Sequence, residues 1–149
     1  MGTISRNFSY KEFEVTDIEA LRVKNTISSV EVRDNIKSLV DEVLQPLRDS
    51  WGKPLAINSG YRCKEVNEAV GGAPTSQHCS GSASDVCPFG RNGHGDVKVV
   101  RELAMLVLQL GLPFDQMGLY GSFVHLSHKR DGKQRGQIFY GKSYNGEKI

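Results

Sequence analysis

The stretch Ile57-Asn-Ser-Gly-Tyr-Arg-Cys-Lys-Glu-Val-Asn-Glu-Ala-Val-Gly-Gly-Ala-Pro-Thr-Ser-Gln-His-Cys-Ser-Gly-Ser-Ala-Ser-Asp-Val86 decides how the chain is read. Leu55 to Asn58 leaves a Trp-Gly-Lys-Pro turn as a short strand. Arg62 to Val70 reads as a short helix stopped by Gly71 and Gly72, because glycine adopts the left-handed backbone that ends a helix. The Gly-, Ser- and Pro-rich run that follows reads as loop, with a short strand over Ala83 to Val86. Small side chains around His78 and Asp85 let two backbone segments approach and aim both groups at one point.

Outward from this centre, apolar residues from Thr26 to Arg48 recur every three or four positions, which predicts an amphipathic helix. Pro46 lacks an N–H and is expected to close or kink it. A second helix is predicted from about Val97 to Leu110, ended by Gly111 and Pro113. Towards the C-terminus, Phe114-Asp-Gln-Met-Gly-Leu-Tyr120 and Phe123-Val-His-Leu-Ser-His128 read as strands. An Asp131-Gly132 turn and a third strand at Ile138-Phe-Tyr-Gly141 follow. Residues 1–25 are polar with scattered aromatics and read as an extended arm, leaving 26–149 as the domain proper. The expected fold is α+β: a small antiparallel sheet with flanking helices.

Composition narrows function mainly by exclusion. The 149 residues carry 19 Lys plus Arg against 17 Asp plus Glu, a net charge of +2, which gives no ground for a nucleic-acid partner. No apolar run reaches the ~20 residues that span a bilayer, and the first residues show no signal-peptide core. Three cysteines, Cys63, Cys79 and Cys87, leave at least one thiol without an internal partner. Cys79 and Cys87 read as small buried residues, with a disulfide between them as the alternative. The chain contains no G-x-S-x-G, Walker loop or dinucleotide fingerprint.

Of the four histidines, His78 and His125 combine with Asp85 into a plausible metal triad. Zinc takes tetrahedral nitrogen and oxygen donors, and a catalytic site leaves one position for water. Spacing alone leaves a second reading open, in which both histidines are merely hydrogen-bonded. His128 is three positions past His125 and in a straight strand faces the other side. At the pocket edge it would be a substrate-side proton donor. His94 reads as a solvent loop residue. The basic run Lys129, Arg130, Lys133 and Arg135 reads as a solvated hairpin, and Tyr120, Phe139, Tyr140 and Tyr144 as groove-lining or packing aromatics.

The stretch quoted above, followed by Phe114-Asp-Gln-Met-Gly-Leu-Tyr-Gly-Ser-Phe-Val-His-Leu-Ser-His128, resembles the zinc D-alanyl-D-alanine carboxypeptidase and phage endolysin family, peptidase family M15. The resemblance rests on Ser-Gly-Tyr-Arg, on Ser-x-His with Asp seven residues after the His, and on a closing Phe-Val-His. It covers about Leu55 to His128. It implies a zinc metallopeptidase acting on D-amino-acid-containing stem peptides of bacterial peptidoglycan, as a D,D-carboxypeptidase or an L-Ala-D-Glu endopeptidase. It places Zn2+ on His78, Asp85 and His125, and makes Arg62 a catalytic and substrate-binding residue. Ser76 is then a support for the ligand shell or substrate. The family usually has Glu or Asp three residues before its last zinc histidine; this chain has Ser122 there. Asp115 is the nearest carboxylate in that region and is taken as the general base. The departure at Ser122 keeps a second reading, a zinc-containing cell-wall-binding or phage structural module with weak or no activity. A monomer is expected, in the host cytoplasm before release or in the virion if the chain is phage-encoded.

Overall fold

The computed structural model describes residues 2–149. Five strands form one sheet: β1 (Ala56–Ser59), β2 (Ala83–Cys87), β3 (Gln116–Leu119), β4 (Val124–Ser127) and β5 (Gln137–Tyr140), in the spatial order β1-β2-β4-β3-β5. All neighbours are antiparallel except β3 and β5, which run parallel. The sheet is therefore mixed. The segment after β4 does not fold back on it as a hairpin; it crosses over β3 to reach the sheet edge.

Alternation along the strands gives the sheet two unlike faces. Val86, Val124, Leu126, Met117 and Leu119 are buried on one face and share the core with the helices. These helices are α1 (Val30–Leu39), α2 (Gln45–Trp51) and α4 (Val97–Gln109). Ser29 caps α1 and Asp96 caps α4, each accepting a hydrogen bond from a first-turn N–H. Removing apolar side chains of this size from water contributes about 1.5–3 kcal/mol apiece. The other face carries Asp85, His125, Gly118 and Phe139. Short α3 (Lys64–Ala69) and a 3-10 turn (Gln77–Ser80) frame it.

Pro46 does not end the helix that precedes it. A π-helical turn, Val40–Leu44, joins α1 to α2, and the Gln45 N–H reaches back five residues to the Val40 carbonyl. The wider turn lets the chain pass Pro46, which sits in the first turn of α2. The N-terminal segment is not an arm outside the core. Phe8, Tyr10 and Phe13 are buried in the central cluster. The Phe13 carbonyl accepts from Tyr61 N–H. A Cβ on Gly60 would lie 2.7 Å from Phe13 Cα, so only glycine lets these segments come together. Among the described residues no helix is long and apolar enough to cross a membrane.

Candidate metal centre and its pocket

The site is a single row of residues across the sheet. Ser59 pairs with Asp85, Asp85 with His125, His125 with Gly118, and Gly118 with Phe139. One residue from each strand thus faces the same way at the same height, with side chains on all but Gly118. An irregularity between Ile57 and Ser59 adjusts β1 so that Ser59 meets Asp85.

His78 enters this row from the 3-10 turn. Its Nδ1 lies 2.7 Å from the Gly60 carbonyl, which can only accept, so Nδ1 carries the proton and Nε2 keeps its lone pair. That Nε2 is 3.3 Å from Asp85 Oδ1, and His125 Nδ1 is 3.0 Å from the same oxygen. In a neutral imidazole that Nε2 lone pair faces a carboxylate oxygen, an arrangement that either a proton or a metal cation between them relieves. Donor atoms of His78, Asp85 and His125 all lie within 4.8 Å of one another. Two imidazoles and one carboxylate, one imidazole oriented by a backbone carbonyl, fit a zinc-type ion. Burial pushes the Asp85 carboxyl upward, but the adjoining His78 and His125 outweigh it and hold the group well below the usual carboxylate range.

Arg62 stands over the carboxylate. Its Nη2 is 3.6 Å from Asp85 Oδ2, its Nε donates to Ser59 Oγ at 3.0 Å, and its backbone N–H donates to the His78 carbonyl. The guanidinium is thereby held as a fixed fork facing the pocket. Ser76 caps the 3-10 turn by accepting from the His78 N–H at 3.2 Å, and it also lines the pocket. The cavity, about 500 Å³, runs from this polar floor to an aromatic wall of Tyr120, Phe123 and Phe139. Phe139 packs against His125 with ring centroids 5.8 Å apart.

Two expected site residues are elsewhere. Asp115 is fully buried and does not line the pocket. Arg135 grips it through Nη2 at 2.6 Å and Nε at 3.1 Å, and the Arg135 backbone N–H, Gln77 Nε2 and Lys129 Nζ add to the hold. Hydrogen bonds from Arg135 keep its carboxyl far below the usual range despite burial. A carboxylate so poor in proton affinity and so fully bonded is not a general base. It is a buttress behind Gln77 and Arg135, both of which do line the pocket. His128 lies on the opposite face, against α1. Its Nδ1 donates to the Pro113 carbonyl and its Nε2 accepts from Ser38 Oγ. Both ring nitrogens are satisfied, so it neither reaches substrate nor passes it a proton.

Sequence reasoning missed Gln77 and Arg135 as pocket residues, having placed Arg135 in a solvated hairpin. The only signal for Arg135 is a buried Asp115 in need of a cation, and burial is not written in a sequence. Tyr140 and Tyr144 stack on each other away from the pocket, with Tyr144 in the core. All three cysteines are free thiols. Cys87 is buried, with Sγ directed at the Ser122 carbonyl.

Two imidazoles and a carboxylate thus lie beneath an anchored arginine at the base of an open cleft. The chain belongs to the Peptidase M15 family, whose model matches residues 6–127. No curated relative matches it. The match takes in the N-terminal segment that packs into the core.

Proposed function

We propose that the protein is a zinc-dependent peptidase that hydrolyses amide bonds in D-amino-acid-containing stem peptides of bacterial peptidoglycan, with His78, Asp85 and His125 as the metal ligands. The observation that carries this reading is the convergence of His78 Nε2 and His125 Nδ1 on Asp85 Oδ1 at the base of a peptide-sized cleft. Zinc at such a position supplies a Lewis acid and lowers the pKa of bound water towards neutrality.

The chain's own residues do the rest. Gly60 and the Asp85–His125 register hold the ligands in place before any ion arrives. Arg62 offers two-pronged donation to a substrate carboxylate, or to charge building on the scissile carbonyl. Ser76 fixes the turn that presents His78. The aromatic wall excludes water from one side of the cleft and packs against the substrate's aliphatic parts.

A second reading has one observation in its favour. Among the described residues, Asp85 is the only carboxylate lining the pocket, so no side chain of the customary base type faces it. A zinc-containing cell-wall-binding module of low activity is consistent with that. The deciding experiment measures release of amino groups from purified peptidoglycan by zinc-loaded wild type, chelated protein and His125→Ala. Release that is lost in both controls supports the peptidase, and mass spectrometry of the fragments names the bond. A folded, zinc-loaded wild type that releases nothing supports the binding module.

A further inference from the structure

The aromatic wall contains one polar group, the Tyr120 hydroxyl, that makes no hydrogen bond among the described residues. Tyr120 directly follows β3, on the rim of the cleft. Its ring stacks on Phe123 with centroids 4.5 Å apart and planes 10° from parallel, and it meets Phe139 edge-on at 6.2 Å. Phe139 in turn packs on the ligand His125. Two glycines make room for the rings: a Cβ on Gly141 would sit 2.2 Å from the Tyr120 ring, and one on Gly118 would sit 2.4 Å from Phe139. The two glycines therefore leave the space that these packed rings occupy.

Packing explains the ring of Tyr120 but not its hydroxyl. Among the described residues that hydroxyl has no hydrogen-bond partner, and phenylalanine would fill the same space. Tyr120 lines the same cleft as Arg62, Asp85 and His125. Burial first, and the Asp85 charge second, raise its pKa, so the phenol keeps its proton at neutral pH and is a donor rather than a base.

Resting on the peptidase reading above, we infer that Tyr120 is a catalytic residue whose hydroxyl, in the same cleft as Arg62, donates a hydrogen bond to the substrate's carbonyl oxygen as negative charge builds on it. A preorganised donor aimed at charge that develops in the transition state accelerates the step without tightening the ground state. A cleft lacking a second carboxylate has particular use for such a donor.

The test compares zinc-loaded wild type with Tyr120→Phe, which keeps the stacking ring. Turnover is measured on a synthetic stem pentapeptide. Binding is measured by calorimetry with a phosphinate isostere of the bond that the wild type cleaves. The expected result is a loss of about 100-fold in kcat, with KM, zinc affinity and melting temperature unchanged. Affinity for the phosphinate should fall by the same factor as kcat/KM. A Tyr120→Phe enzyme within threefold of wild type in kcat/KM overturns the role of Tyr120 and leaves the peptidase intact. So does a variant that loses zinc or melts early, since its role is then structural. A zinc-loaded wild type with no activity on peptidoglycan or the pentapeptide overturns the peptidase reading itself, and the role of Tyr120 with it.

Discussion

Asp115 and Arg135, twenty residues apart, form a two-pronged ion pair that ties the crossover after β4 to the start of β3. The carboxylate has no exposed surface, whereas the guanidinium reaches the cleft. Asp115→Asn is expected to destabilise the protein by about 2 kcal/mol, the scale of hydrogen bonds to a charged group. Thermal melts should show a drop of roughly 4–8 °C for a chain of this size. A base would give the opposite pattern: undiminished stability with activity abolished.

The same pair sets an acid limb. Its folded-state pKa is depressed below the unfolded value, so its contribution is present above about pH 4. That contribution fades as the pH falls through the folded value. Urea midpoints taken from pH 5 down to pH 2.5 should fall steeply for wild type and less steeply for Asp115→Asn. Equal slopes in the two proteins would show that the pair does not drive acid unfolding.

Zinc should raise the melting temperature, because an ion that binds only the folded chain stabilises it by mass action. The gain is about 4 kcal/mol at a thousandfold excess over Kd. His78→Ala, Asp85→Ala and His125→Ala should each abolish the gain, and chelation should reverse it. His128→Ala should keep the zinc-induced increment while lowering the baseline, since that ring is bonded to Pro113 and Ser38 on the other face. An increment lost in His128→Ala would contradict the geometry.

Arg62→Lys tests the fork. Lysine keeps the charge but cannot donate at once to Ser59 and face Asp85 in a fixed plane. Zinc binding measured by competition with a chromophoric chelator should hold to within a few-fold. Peptide hydrolysis should fall by about 100-fold, the cost of one well-placed transition-state donor. Hydrolysis at wild-type rate would remove Arg62 from the mechanism.

Gly118→Ala puts a methyl group where the Phe139 ring lies, at 2.4 Å. Overpacking of this kind costs about 1–3 kcal/mol. The ring should swing off His125 and open the wall. Near-ultraviolet circular dichroism would register the lost aromatic order, and an unchanged spectrum would mean that the ring has room to move.

Much of this was legible in the sequence because it is local. All five strands follow from alternation and turn residues, and α3 and α4 follow from periodicity and their glycine stops. His78, Asp85 and His125 were reachable through the resemblance, since their spacing is carried by short motifs. The failures are long-range. Phe8 and Phe13 look like arm residues until Gly60 is seen to admit them. Pro46 looks like a helix terminator because a π-helical turn leaves no distinct trace in an apolar pattern. Asp115 has the right chemistry for a base, and only its partner Arg135, brought in by the crossover, shows that it is already bonded. The parallel pairing of β5 with β3 depends on where a nine-residue connection travels, which neither Asp131 nor Gly132 encodes.

That crossover separates two parts of the cleft along the chain. All three candidate ligands and Arg62 precede residue 127, where the family match stops. Arg135, in the crossover, and Phe139, on the edge strand β5, by contrast come afterwards. An edge strand can be exchanged or lengthened without disturbing the pairings behind it. Phe139 thus works as a faceplate: recoding it would change what the cleft accepts while the pairings behind the ion-binding row stay as they are, whereas Arg135 also anchors Asp115 and Tyr144 belongs to the core.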